Sequence, residues 1–112
     1  MPNVVNYFEI GTPNARATTA FYSDLFGWQI AEPSGGYGMI DGDKGGMWDT
    51  TSVGGGSWAI FYVQVDDVKT AIDKATGLGA TVVVPFTDSG PLEFAHLQDP
   101  QGNRFGVWHP KG

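Results

Sequence analysis

One succession of elements occurs twice along this chain, and a repeat of that kind limits the fold more than any single residue does. Val4 to Ile10 is a short β-favouring run closed by Gly11. Thr12-Pro13 is predicted to open a helix, with Thr12 accepting a hydrogen bond from the first turn and Pro13 at the first helical position. Ala17, Ala20, Phe21 and Leu25 then form an apolar stripe, read as the buried face, and Gly27 ends the helix. Three short strand-like runs follow, Trp28 to Ala31, Tyr37 to Ile40 and Met47 to Thr51, separated by Pro33-Ser34-Gly35-Gly36 and by Asp41 to Gly46.

The pattern begins again at Trp58. A strand to Val65 leads into Asp66-Asp67, which can cap a helix with the stripe Val68, Ala71, Ile72, Ala75 and Leu78, ended by Gly79. Thr81 to Val84 is a strand broken by Pro85, and Leu92 to Gln98 and Asn103 to Trp108 complete the set. Between the last two, Asp99-Pro100-Gln101-Gly102 suits a type I turn. Gly27 to Gly79 spans 52 positions, as does Pro33 to Pro85, so the helix stop and the strand-ending proline keep their spacing.

Each half thus reads βαβββ, and the fold class is α+β. Module one covers about 1–52 and module two about 57–110, joined by Val53-Gly54-Gly55-Gly56-Ser57 within a single domain, 1–112. One helix of roughly 12 residues shields only one face of three or four strands. The other faces are expected to form curved mixed sheets around a cleft, with the helices outside and alternate strand residues as its lining. With 41% hydrophobic and only 16% charged residues, the chain has the material for a packed core. A net charge of −6 opposes phosphate backbones and anionic lipid, so neither nucleic acid nor membrane is expected as a partner. The absence of cysteine removes thiolate nucleophiles and Cys-bound metals. Met1-Pro2-Asn3-Val4-Val5-Asn6 has no basic stretch leading into an apolar one, and the expected compartment is the cytoplasm.

Particular words carry a resemblance. Phe8-Glu9-Ile10, Ala20 to Trp28 (AFYSDLFGW), Val63 to Val68 (VQVDDV), Leu78-Gly79-Ala80 and Asp99 to Phe105 (DPQGNRF), in this order over the whole chain, resemble the vicinal-oxygen-chelate superfamily of glyoxalase I, bleomycin-resistance proteins and extradiol dioxygenases. The likeness is greatest to its bacterial glyoxalase-like or hydroxylase-like proteins. It implies a divalent metal held by His and Glu from the first and last strands of each module. Counted from the matching words, the first-strand places fall on Tyr7 and Ile60 and the last-strand Glu on Gly106, with the fourth place near Met47-Trp48-Asp49. Ile60 and Gly106 carry no donor, and Tyr7 would bind only as a phenolate. No metal and no cofactor is therefore expected.

Alternation assigns faces to the other candidates. Glu9 shares the face of Tyr7; Ile60, Tyr62 and Gln64 share one face of their strand; Phe94, His96 and Gln98 oppose Ala95 and Leu97; Arg104 and Trp108 flank Gly106. His96 can act as a base or a ligand partner, or be a half-exposed strand histidine without a role. Glu9 can act as a base or pair with Arg104, and His109 belongs to a solvated tail. Aromatic walls, of which Tyr7, Trp28, Tyr37, Trp48, Trp58, Tyr62, Phe94 and Trp108 offer many, suit planar ligands. The expected function is binding of a small organic, planar molecule by Tyr7, Glu9, Trp48, Ile60, Tyr62, Gln64, Phe94, His96, Arg104 and Trp108. The alternatives are a metal-independent epimerase, cyclase or hydroxylase-like enzyme using His96, Glu9 and Tyr7, and a metal-dependent lyase or dioxygenase. A homodimer is expected, since so small a core gains from added burial.

Overall fold

A computed structural model describes residues 3–31 and 36–111. The Pro33-Ser34-Gly35 turn, and with it one end of the proline spacing, lies outside the described residues. Seven strands and two α-helices run in the order β1 (Val4–Thr12), α1 (Ala15–Phe26), β2 (Tyr37–Ile40), β3 (Gly45–Asp49), β4 (Trp58–Gln64), α2 (Val68–Gly77), β5 (Thr81–Asp88), β6 (Leu92–Gln98) and β7 (Arg104–Pro110), with a 3-10 turn at Thr50–Val53. The chain forms two compact units, one of Tyr7–Ala59 and one of Met1–Asn6 with Ile60–Gly112.

In the unit of Tyr7–Ala59 the strand order is β2-β3-β1, with β1 and β3 parallel and β2 and β3 antiparallel. The β2–β3 hairpin turns at Asp41 and Gly42, both with positive φ (49° and 80°), the conformation that an Asp-Gly pair supplies most readily. The run after Gly27 does not become a strand: only Ile30 pairs, in a single bridge to Ile40. Helix α1 starts two residues later than its Thr-Pro suggested. Asn14 is the cap, accepting the Ala17 N–H at 3.1 Å, while Thr12 Oγ1 binds the Thr18 hydroxyl at 2.8 Å. Gly27 ends it at φ 72°.

The stripe expected to be buried on α1 faces outward: Ala17, Ala20, Phe21 and Leu25 are all exposed. Ala15 and Tyr22 pack instead on Ile10, Ile40 and Met47, and Trp28 closes the cluster by stacking on Tyr22 at 5.4 Å and 10°. Ile40 and Met47 are fully buried, a contribution of about 1.5–3 kcal/mol each.

In the other unit the order is β4-β7-β6-β5, with β4 parallel to β7 and the remaining pairs antiparallel. Asp67 caps α2 by accepting the Thr70 N–H at 2.9 Å, and that bond holds its carboxyl below the usual range. Val68, Ala71, Ile72 and Ala75 pack on Val65, Ala95, Leu97 and Val107, whereas Leu78, at the helix end, is exposed. Pro85 does not end its strand. It sits within β5, the edge strand of this unit, where register shifts between Val82 and Thr87 accommodate a residue without an N–H. His109 is the other correction: it lies in β7, and its Nδ1 meets the Val65 carbonyl at 2.8 Å.

Candidate functional site

The two parallel pairings supply an internal ruler. Glu9 lies opposite Gly46 in one unit and Tyr62 opposite Gly106 in the other, so Glu9 matches Tyr62 and Gly46 matches Gly106. On the neighbouring strands Met39 lies opposite Gly46 and His96 opposite Gly106. The ruler also fixes the ligand place that sequence left near Met47-Trp48-Asp49: it falls on Gly46, one residue earlier. Tyr7, Gly46, Ile60 and Gly106 therefore stand at the four places where the resemblance implies metal ligands, with neither an imidazole nor a carboxylate among them. No three His, Cys, Asp or Glu side chains come together among the described residues. These residues do not fit a divalent cation.

In the unit of Tyr7–Ala59, Phe8 and Ile10 face α1, and Tyr7 and Glu9 point to the opposite side of the sheet. Glu9 is 1% exposed. One of its carboxylate oxygens accepts the Tyr37 hydroxyl at 3.0 Å and the other accepts the Trp58 indole N–H at 2.8 Å. Buried charge is tolerated only with such partners. The Tyr7 and Tyr37 hydroxyls are 2.8 Å apart, which extends the chain of hydrogen bonds to the position of the inherited first-strand ligand. Trp48 stands edge-on to Trp58 at 5.5 Å and to Tyr37 at 6.3 Å. Tyr7, Tyr37, Trp48 and Trp58 are all half-buried. Gly46 makes room for this arrangement, since a Cβ there would run into the Tyr37 hydroxyl. Tyr37 and Trp58 were legible as aromatic residues on strands but not as the two donors to Glu9.

Burial pushes the Tyr7 phenol up from the usual value near 10 to about 12, against a smaller lowering by the Tyr37 hydrogen bond. Tyr7 is accordingly a neutral donor at physiological pH and not a metal-binding phenolate. The folded chain holds this proton more tightly than the unfolded one. Its contribution to stability is thus intact below about pH 10 and lost as pH rises through about 12. In urea titrations between pH 9 and 12, Tyr7→Phe is expected to show a shallower alkaline loss of stability than the parent chain; identical slopes would contradict the assignment.

In the unit of Met1–Asn6 with Ile60–Gly112, Ile60, Tyr62 and His96 are buried, His96 at 0% exposure, so it is not the half-exposed histidine that sequence allowed for. The Tyr62 hydroxyl and His96 Nε2 are 2.5 Å apart, with the rings edge-on at 5.5 Å. Phe94 tilts against His96 at 6.0 Å, and the Tyr62 ring lies on Gly106, where an added Cβ would come within 2.5 Å of it. Gln64 and Trp108 both bind Asn6: Asn6 Nδ2 donates to Gln64 Oε1 at 2.8 Å, and Trp108 Nε1 donates to Asn6 Oδ1 at 3.0 Å. Arg104 is half-buried opposite Gln98. Of the three residues named for acid–base work, Tyr7 and Glu9 are thus linked through Tyr37, and His96 is tied to Tyr62.

A βαββ unit with one further bridge and a βαβββ unit, each with its first strand parallel to its last, have the arrangement of the vicinal-oxygen-chelate class of folds. The chain belongs to the glyoxalase-like domain family, whose model matches residues 7–108. It is 30% identical over 126 residues to a Mycobacterium tuberculosis protein provisionally named glyoxylase CFP32, covering 92% of this chain and 44% of the relative. A glyoxylase-like domain-containing protein of Didymella fabae is 27% identical, with 92% and 91% covered. The anthracycline biosynthesis protein DnrV of Streptomyces peucetius is 26% identical, with 96% and 47% covered. The chain thus spans less than half the length of CFP32 and DnrV and nearly all of the Didymella protein. Among solved structures, the methylmalonyl-CoA epimerase of Streptomyces coelicolor superposes with a TM-score of 0.66 at 15% identity, covering 100% of this chain and 97% of the epimerase. The Mn(II)-bound glyoxalase of Novosphingobium aromaticivorans gives 0.65 at 14% identity, covering 97% and 40%.

Proposed function

We propose that this chain binds a planar organic molecule against the rings of Tyr7, Tyr37, Trp48 and Trp58 without a divalent metal. The observation that carries the reading is four half-buried aromatic side chains grouped around a buried, hydrogen-bonded carboxylate on the sheet side away from α1. Rings held by hydrogen bonds lose little freedom on contact with a flat ligand, and each stacked pair adds about 0.5–1.5 kcal/mol beyond area burial. Gly46 and Gly106, where the superfamily's pattern calls for metal-binding side chains, leave no role for a ligand that needs a cation to hold it. One relative is named for anthracycline biosynthesis. An anthracycline is a fused planar ring system of the kind that aromatic walls accommodate. The cytoplasm, expected from the sequence, remains the proposed compartment.

Tryptophan fluorescence titrated with fused-ring compounds, anthracyclines among them, tests this. Saturable quenching is expected. It should fall by more than half in Trp48→Phe and Trp58→Phe and persist in Trp28→Phe, whose indole stacks on Tyr22 on the α1 side. No quenching by any compound, or loss confined to Trp28→Phe, would overturn the reading.

The hydrogen-bonded series from Tyr7 through Tyr37 to Glu9 favours a second reading, a metal-independent proton-transfer enzyme in which the Tyr7 oxygen takes a proton from an acidic carbon as its own proton passes through Tyr37 to the Glu9 carboxylate, and the reverse transfer returns a proton to that carbon. Incorporation of solvent deuterium into an α-acidic carbonyl compound, abolished in Tyr7→Phe, is the expected sign of it.

A further inference from the structure

The exposed face of α1 is self-complementary, and we infer that it docks against the same face of a second copy of this chain. On a helix, Ala17, Phe21 and Leu25 form one row at a spacing of four, flanked by Arg16, Ala20 and Asp24. All six are exposed, and Phe21 and Leu25 keep 58% and 57% of their surface in solvent. The side of the helix that meets the sheet is the other one, carrying Ala15 and Tyr22. An apolar row on the outside of a helix is costly to leave in water, and an exposed patch of this kind marks an interaction surface.

Charge and size together select the occupant. Arg16 and Asp24 lie eight residues apart, about 12 Å along the axis, and neither forms an ion pair among the described residues. If two α1 helices cross antiparallel about a two-fold axis near Ala20 and Phe21, each Arg16 faces the other copy's Asp24. The same operation sets the small Ala17 of one copy against the large Leu25 of the other and brings the two Phe21 rings together at the axis. Ala20 beside them permits close approach. A two-fold axis requires the same patch on both partners, and this row meets that requirement in charge, in size and in polarity. A surface adapted to an unrelated partner has no reason to be its own complement.

Light scattering and sedimentation velocity across 1–500 µM test the proposal, with charge exchange separating it from nonspecific stickiness. The parent chain is expected to dimerise. Phe21→Glu should weaken association at least 100-fold while leaving the circular dichroism spectrum unchanged, because the side chain is exposed. Arg16→Asp alone and Asp24→Arg alone should each weaken it about 10-fold by setting like charges opposite each other. Arg16→Asp combined with Asp24→Arg should restore it, and raised salt should reduce the differences between these variants. A parent chain that stays monomeric throughout, or a dimer indifferent to Phe21→Glu, would overturn the inference, as would failure of the double exchange to recover what the single exchanges lose.

Discussion

Gly106→Ala is expected to lower the unfolding free energy by about 2–3 kcal/mol and the thermal midpoint by on the order of 10 °C. The added methyl would lie 2.5 Å from the Tyr62 ring, inside contact distance, and the ring has little freedom to retreat. Tyr62 is only 4% exposed and its hydroxyl is held at 2.5 Å from His96 Nε2. Moving the ring therefore also breaks a buried hydrogen bond. Three comparisons isolate the cause. Gly77→Ala, at a helical position with open space around the new methyl, should be neutral or slightly stabilising. Tyr62→Phe, which keeps the ring and deletes the hydroxyl, should cost about 1–2 kcal/mol. In a Tyr62→Ala background, Gly106→Ala should cost much less than it does alone, the coupling expected of two groups competing for one space. A free energy within about 0.5 kcal/mol of the parent's for Gly106→Ala would mean that the ring does not rest on Gly106. The same competition bears on chemistry: Gly106→Glu restores the inherited donor in sequence, but its stem meets Tyr62, and binding of Mn(II) is not expected to follow.

That contest between a ring and an absent side chain was only half legible in the sequence. The emptied places at Ile60 and Gly106 could be read by counting from the matching words, and strand alternation separated Ala95 and Leu97, which pack with the residues of α2, from Phe94, His96 and Gln98. These are local properties, fixed by a period of two and by short spacings. What fills an emptied place is not local. Tyr37 reaches Glu9 across 28 positions and Trp58 reaches it across 49, and only the pairing of strands brings them together. Helix α1 shows the limit of periodicity most clearly. Ala17, Ala20, Phe21 and Leu25 make a stripe as regular as that of α2, yet the sheet takes the side with Ala15 and Tyr22, because Trp28 folds back and completes a stack there. A helical period reports an apolar face but not which surface covers it. The bridge at Ile30 has a similar origin: Gly27 and Trp28 spend the start of that segment closing the helix end, leaving one residue to pair with β2.

Glu9→Leu is expected to cost about 2–4 kcal/mol and Glu9→Gln about 1–2 kcal/mol, and the difference follows from what each does to two donors. The carboxylate takes the Tyr37 O–H on one oxygen and the Trp58 N–H on the other. Leucine fills similar volume but leaves the Trp58 N–H without an acceptor, at about 1–3 kcal/mol, and lets the Tyr37 O–H turn only to Tyr7, with no group to donate to Tyr37 in return; loss of a desolvated charge offsets part of this. Glutamine can turn its carbonyl toward Trp58, whose indole can only donate, and its amide toward Tyr37, whose hydroxyl can accept. Tyr37 then sends its proton to Tyr7, whose oxygen lies 2.8 Å away, and the series survives with its direction reversed. Adding Tyr37→Phe should therefore cost less in the leucine variant, where the Tyr37 hydroxyl only donates to Tyr7, than in the glutamine variant, where it also accepts from the amide, measured by urea unfolding. Binding should separate from stability in the same pair. If the ligand engages the rings, Glu9→Gln should retain fluorescence quenching by a fused-ring compound within about threefold, whereas Glu9→Leu, with Trp58 and Tyr37 released, should weaken it about tenfold or more. Equal loss in both variants would show that the negative charge itself holds the ligand, and the four rings would then be its surroundings and not its grip.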